Sequence, residues 1–173
     1  MTGIDLQAAE SILIFDVGAT ARPGAAAGAY GIDVTQVLMV LEPGNVSSVP
    51  LAPEIVIGIM NHHGRIVTVV DPTAILGMRA QDLEGPDTRV ILLRQGQRNT
   101  GNVGLRVARV REIMPIAELK RATACDHAAG PCVGWVAQHG RRLINILRVD
   151  AFLEGLAREF GSSSAREPRQ GVG

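Results

Sequence analysis

The chain has 173 residues, of which 46% are apolar and 20% charged, and seventeen basic side chains balance seventeen acidic ones. That much apolar surface excludes wholesale disorder. Electrical neutrality with only 3% aromatic residues and a single Trp argues against a nucleic-acid binder, which needs a basic surface and stacking platforms.

The N-terminal stretch MTGIDLQAAESILIF lacks a basic segment leading into an apolar one, so no signal peptide is expected. No apolar run approaches the ~20 residues of a membrane helix, so membrane insertion is not expected. Two cysteines, Cys125 and Cys132, fit a reducing cytosol better than a disulfide-stapled secreted domain. SILIFDV, Ser11 to Val17, predicts the first strand from its near-continuous β-formers. GATARPGAAAGA, residues 18–29, predicts a flexible hairpin loop. YGIDVTQVLMVL resumes the β pattern, with Ile32, Val34, Val37 and Val40 expected to point inward. In PGNVSSVPLAPE, residues 43–54, the prolines forbid a central strand. IVIGIM and RIVTVVD read as strands flanking an NHHG turn. Asp71 then caps a short helical turn that begins at Pro72. The polar MRAQDLEGPD, residues 78–87, closes the first half.

The pattern then recurs. TRVILL matches SILIF, and VGLRVARVREIMP matches YGIDVTQVLMVLE. Gly31, Val34, Val37 and Val40 correspond to Gly104, Val107, Val110 and Ile113, all 73 positions apart. IGIMNHHGRIVTVV resembles VGWVAQHGRRLINIL, which pairs Gly58 with Gly134 and His63-Gly64-Arg65 with His139-Gly140-Arg141; one extra residue then aligns Ile66 with Leu143. Such a repeat is a duplication of a β unit of about 75 residues, longer than a solenoid repeat, and short strands with frequent turns favour small barrels. The end is helical: in DAFLEGLAREF, Asp150 is the predicted N-cap and Phe152, Leu156 and Phe160 share a face. Glu154 and Arg158 pair across one turn, Gly161 is the expected stop, and residues 161–173 read as a disordered tail.

Few residues suggest chemistry. His62 and His63 are neighbours on or beside a strand, where adjacent side chains diverge, so no shared metal is expected. Cys125, His127 and Cys132, with His139 as a fourth ligand, are better spaced for zinc. Cys132, however, falls in a repeat slot matching apolar Val56 and reads as a small core hydrophobe. There is no nucleophile elbow and no phosphate loop. Asp33, Asp71 and Asp150 each sit at the end of an element, where aspartate caps backbone amides. The residues therefore predict no catalytic set, no metal and no cofactor, and a protein that acts by contact.

The order of strand, YGIDVTQV, Pro-rich link, APEIVIGIMNHHGRIVTVVD, VGLRVARVREIM and closing strand-helix resembles the CheW-like family of bacterial chemosensory coupling proteins, over Ser11 to Phe160. The resemblance implies an all-β fold of two SH3-like five-stranded β-barrels from an internal duplication, with a short C-terminal helix. On that reading residues 1–160 are the CheW-like domain, with a first barrel at about 11–85, a second at 86–150 and the helix at 150–160. It also implies a non-enzymatic adaptor, cytoplasmic and recruited to chemosensory arrays. Its partners would be the regulatory domain of a CheA-type histidine kinase, the cytoplasmic tip of a methyl-accepting chemoreceptor and other CheW-like proteins. Family members contact the kinase near Val37 and Gly58 and receive the receptor tip in the groove between barrels. We therefore expect Val37, Met39, Gly58, Asn61, His63 and Gly64 to form a protein-binding patch, with Val37 and Met39 on one face of a strand and Gly58 leaving an open backbone edge.

The sequence departs from the family in specific places. His63 stands where an Arg is usual, Met39 where a Glu is common, Thr68 for Pro and Pro72 for Leu. Joint loss of opposite charges avoids leaving one buried and uncompensated, which alone costs about 3–5 kcal/mol. A histidine in the arginine's place also makes contact pH-sensitive. The departures raise a second reading, a divergent adaptor that binds one partner, or a different one, and tunes the array. The zinc set Cys125, His127, Cys132 and His139 defines a third, a zinc-stabilised or catalytic β protein.

Overall fold

The computed structural model describes residues 10–18, 29–73, 75–78, 85–94, 102–122 and 132–163. Its strands are Ser11–Asp16 (β1), Ala29–Asp33 (β2), Val37–Leu41 (β3), Val56–His62 (β4), Arg65–Val70 (β5), Arg89–Leu93 (β6), Val103–Val107 (β7), Arg109–Pro115 (β8), Lys120–Arg121 (β9), Val133–His139 (β10) and Arg142–Leu147 (β11), followed by the helix Val149–Ser163 (α1). Among the described residues they form a five-stranded sheet, β3-β6-β7-β5-β4, and a six-stranded sheet, β8-β1-β2-β11-β10-β9. The chain after β3 crosses back to β4 through paired Ser47 and Ile59, 2.8 Å in both directions. In the second sheet β9 crosses to β10 in the same way, with Ala122 N–H on Val136 O at 2.9 Å. Each sheet is thus an SH3-like barrel, and the architecture is the expected one, two such units and a C-terminal helix, except that the second sheet has six strands where five were expected, the short β9 being the addition.

The duplication is present strand for strand, save that β9 answers to the single bridge at Ser47, but the barrels are not the two halves of the chain. The expected division at 85/86 is corrected by the pairing. β6 and β7, from the second half, complete the first barrel by pairing with β3 and β5. β1 and β2, from the first half, complete the second by pairing with β8 and β11. The leading hairpins have exchanged places. Equivalent glycines record the common ancestry of the two sites. A Cβ on Gly31 would lie 2.6 Å from Ile12 and 3.3 Å from Ile144; one on Gly104 would lie 2.5 Å from Val90 and 3.2 Å from Val67. By register Ile12 corresponds to Val90, and Ile144 to Val67. The exchanged hairpins thus meet equivalent neighbours in the two barrels.

The core explains why β1 and β6 read as continuous apolar runs rather than alternating ones. Both faces are buried, as in strands covered on two sides. Ile12 and Ile14 fill the second barrel with Met114, Ala137 and Ile144. Val90 and Leu92 fill the first with Met60, Val67 and Val69. Leu13, Phe15, Ile91 and Leu93 point the other way, into a core shared by the two barrels, where Phe152 and Leu156 of α1 join them. Asp16, at the end of β1, is buried and held by Arg111 Nε at 2.8 Å and Arg109 Nη2 at 3.2 Å.

The helix differs from its predicted form. It starts at Val149 with the Arg148 carbonyl accepting from Phe152, so Asp150 lies inside the first turn and is not the cap. There its carboxylate receives Arg148 Nη2 at 3.1 Å, which with the Ala151 amide holds it below the usual carboxylate range. The helix runs through Gly161 to Ser163, so that glycine is not a stop. Phe160 is exposed, beyond the reach of the core that buries Phe152 and Leu156. The capping roles of Asp33 and Asp71 hold: Asp33 accepts from Thr35 N at 2.8 Å and Asp71 from Thr73 N at 2.9 Å. Residues 19–28 of the predicted loop and 164–173 of the predicted tail lie outside the described residues.

The proline-rich connection carries a conformational oddity. Val49 O accepts from Ala52 N at 3.3 Å, closing a turn over Pro50 and Leu51 in which Leu51 has φ 61° and is fully exposed. Pro followed by a positive-φ residue is the type II pattern, which favours glycine at that second place. Left-handed backbone costs an L-residue about 1–2 kcal/mol, and glycine gives back roughly half in chain entropy. Leu51→Gly is therefore expected to raise unfolding free energy by about 0.5–1 kcal/mol, read from the urea midpoint. A lower midpoint would mean that the turn does not hold Leu51 as described.

Candidate partner-docking surface

The first barrel presents β3, the β4–β5 turn and the start of β5. Along β3, Val37 pairs with Leu93 and Met39 with Leu92, so Leu38 is a bulge. The bulge breaks the alternation on which a shared Val37–Met39 face depends. Val37 turns into the shared core, Leu38 packs on the first barrel's interior, and Met39 and Val40 are both exposed at 38%. Val37 is thus chiefly a core residue, and Val40, expected inside, is outside.

Gly58 is not an open edge. A Cβ there would sit 2.3 Å from the Ser47 carbonyl oxygen and 2.8 Å from Val46 Cγ1. The close approach its missing side chain permits is made by the protein's own crossing segment. Asn61, His63 and Gly64 do come together, at an exposed two-residue hairpin turn. His63 and Gly64 have φ 50° and 80°, the pattern of a type I′ turn, and Asn61 Oδ1 accepts from Gly64 N at 2.8 Å. The His62 and His63 rings stand edge to face, 4.4 Å between centroids. Beyond the turn, Arg65 and Ile66 are exposed, Ile66 at 55%.

The second barrel shows what these positions do when occupied differently. Register makes Val37 equivalent to Val110, Met39 to Glu112 and Val40 to Ile113. The β10–β11 hairpin corresponds to β4–β5 at a spacing of 77, which makes His62 equivalent to His139, Arg65 to Arg142 and Ile66 to Leu143. Val37 and Val110 are equivalent as expected. Gly58 and Gly134 are not: Gly134 is the bulged residue of β10, and Gly58 matches Trp135. Sequence similarity had placed the extra residue after the turn, because two bulged strands with a Gly near each bulge align as well one step out of register. Arg142 Nη1 meets Glu112 Oε1 at 3.3 Å, so the equivalents of Met39 and Arg65 are neighbours. Val40, Arg65 and Ile66, also exposed on this face of the chain, are not among the expected candidates. The repeat already aligned Val40 with Ile113 and Ile66 with Leu143, but exposure of apolar side chains is not visible in a strand pattern.

Other chemistry is not assembled here. Cys132 and His139 lie just before and at the far end of β10, so at ~3.3 Å per strand residue they are about 20 Å apart and cannot share an ion. Cys125 and His127 lie outside the described residues. Cys132 is buried in the shared core, and burial pushes its thiol up from its ordinary value. Among the described residues no three His, Cys, Asp or Glu side chains gather as a metal site. A cavity of ≈ 440 Å³ lies where Ile75, Cys132, Arg148, Glu154, Gly155 and Arg158 meet beside α1. No described helix is long and apolar enough to cross a membrane.

A family model described as CheW-like domain matches residues 11–157. No curated protein matches the chain. Among solved structures, it is similar to the scaffolding protein TtCheW from Thermoanaerobacter tengcongensis, with 22% identity over 86% of this chain and 90% of that one, and a TM-score of 0.64. At that identity the likeness is one of fold.

Proposed function

The chain belongs to the CheW-like family, a non-catalytic family of chemosensory scaffolds, and on that footing we propose that it is a non-enzymatic adaptor coupling a chemoreceptor's cytoplasmic tip to a CheA-type histidine kinase at a cytoplasmic array. The observation that carries this reading is an exposed apolar pair on each barrel: Val40 and Ile66 on the first, Ile113 and Leu143 on the second. Ser47 covers β4 at Ile59 and β9 covers part of β10, and exposed apolar side chains are the docking surface we assign. Two related faces on one rigid body suit a bridge between two proteins. The cavity beside α1 is the place we assign to the receptor tip.

A specific observation favours a second reading. Met39 and His63 replace the Glu and Arg usual in the family, and His63 is exposed on the turn. A divergent adaptor that keeps the kinase and loses the receptor would tune an array rather than build one. The test is calorimetry with the kinase regulatory domain and a receptor-tip fragment from the same organism, singly and together. The coupling reading expects both to bind and the second to bind in the presence of the first. Binding of the kinase domain alone selects the divergent reading, and binding of neither removes both.

A further inference from the structure

β7 carries a cation on an otherwise apolar face. Gly104 and Arg106 are two residues apart on that strand and so share a face. That face looks into the first barrel, since a Cβ on Gly104 would meet Val90 and Val67 of its core. Leu105 and Val107, between and after them, point into the core shared by the two barrels. Arg106 lines a cavity of ≈ 570 Å³ enclosed by Asn45, Val46 and Ser48 of the crossing segment, Ile57 of β4, and the turn that Thr88 N closes on Gly85 O at 3.1 Å. Its Nε is shut off from solvent and has no hydrogen-bond partner, and among the described residues Arg106 is in no ion pair. No other charged side chain of the described residues lines the cavity. The second barrel shows the same place satisfied. Register makes Asp33 the equivalent of Arg106, as Ile12 is of Val90. The Asp33 carboxylate accepts from its own chain, from Thr35 N at 2.8 Å and Thr35 Oγ1 at 2.6 Å. One barrel thus closes this end with a local cap, and the other holds a guanidinium there with nothing in this chain to answer it.

We propose that this cavity binds a small organic carboxylate, whose oxygens accept from the Arg106 guanidinium while a compact apolar body lies against Pro43, Val46 and Ile57. A buried donor without an acceptor is costly, and more so on a charged group, so an anion that answers Arg106 gains from a penalty the free protein already carries. The lining decides which anion. A single cation matches a single negative charge, whereas a phosphate dianion would call for a second one. The planar donors of arginine fork onto a carboxylate. The volume is that of a small-molecule site, and three apolar side chains with a few polar groups are its usual wall. The inference does not rest on the adaptor reading. It gives the first barrel a ligand that ties the crossing segment to β7, and so a second input besides protein contact.

The test uses the full chain and titrates benzoate, a monocarboxylate with a compact apolar body, following backbone amide shifts by NMR. Saturable shifts are expected at Gly44, Asn45, Ser48 and Gly85, together with a rise in the thermal midpoint, because the ligand binds the folded state alone. Benzyl alcohol and benzylamine have a similar body without the carboxylate and are expected to bind at least about tenfold more weakly. Arg106→Gln keeps a polar stem, removes the charge, and is expected to weaken benzoate by at least about tenfold. Arg106→Lys keeps the charge without the fork and is expected to fall between the two. The comparison of the three ligands needs no variant, so it decides the matter even if Arg106→Gln does not fold. No saturable shift of those amides by benzoate would overturn the site. Equal binding of benzoate and benzyl alcohol, or benzoate affinity unchanged in a folded Arg106→Gln, would overturn the role of the carboxylate and of Arg106. Inorganic phosphate binding there more tightly than benzoate would overturn the choice of anion. No kinase or receptor enters the measurement, so its failure leaves the adaptor reading standing.

Discussion

Replacing Gly58 by alanine is expected to cost about 3 kcal/mol of stability or more, and Gly58→Arg to abolish cooperative folding. The added Cβ would lie 2.3 Å from the Ser47 carbonyl oxygen and 2.8 Å from its carbon. Both atoms are backbone, and Ser47 is fixed by two hydrogen bonds to Ile59. Relief therefore requires the whole crossing segment to lift off β4, which opens the barrel between β3 and β4. The control is Gly134→Ala. There the nearest atom is Arg148 Cγ at 2.9 Å, part of a flexible, exposed side chain that can swing away. Its cost is expected to stay within about 0.5 kcal/mol. Urea unfolding of the two alanine variants reads the contrast directly. A Gly58→Ala midpoint equal to wild type would show that the crossing segment is not seated on the strand. One consequence bears on any binding study of this chain: lost binding in a Gly58 variant reports a damaged barrel, not a lost contact.

A chain severed within the polar segment at residues 79–84 is expected to yield two fragments that do not fold cooperatively alone but fold when mixed. Each fragment carries three strands or more of one barrel and the leading hairpin of the other. Without the second fragment, β3 loses β6, β5 loses β7, β1 loses β8 and β2 loses β11. The shared core is divided as well, since Phe15 and Ile32 come from one fragment and Leu93, Phe152 and Leu156 from the other. Circular dichroism of each fragment and of the mixture is the measurement. The duplication supplies the contrary outcome: a first fragment that folds by itself would do so by placing β1 and β2 where β6 and β7 belong. That result would mean the exchange is a preference of the intact chain and not a requirement of the barrels.

The sequence by itself determined the β class, the duplication, the closing helix and the hairpin turn at His63-Gly64. These depend on local chemistry: β-formers in short runs, a repeat at constant spacing, apolar residues four apart, and a glycine that tolerates left-handed backbone. It also carried the family, because that signature lies in the same local runs. What only the tertiary structure decided is which copy pairs with which. Gly31 and Gly104 meet equivalent neighbours in the two barrels, so neither reports the exchange. The pairs that settle it, Ile144 with Ala29 and Thr68 with Val103, are parallel and distant in the chain. The site was legible in the same limited way. Asn61, His63 and Gly64 lie within one turn and could be read together. Met39 is legible on its strand, but Val40 and Ile66, exposed on the same barrel, are not. The bulge at Leu38, which sends Val37 inward and leaves Met39 and Val40 outside, inserts one residue into a ladder whose side chains alternate strictly, and only the partner strand shows where that residue falls.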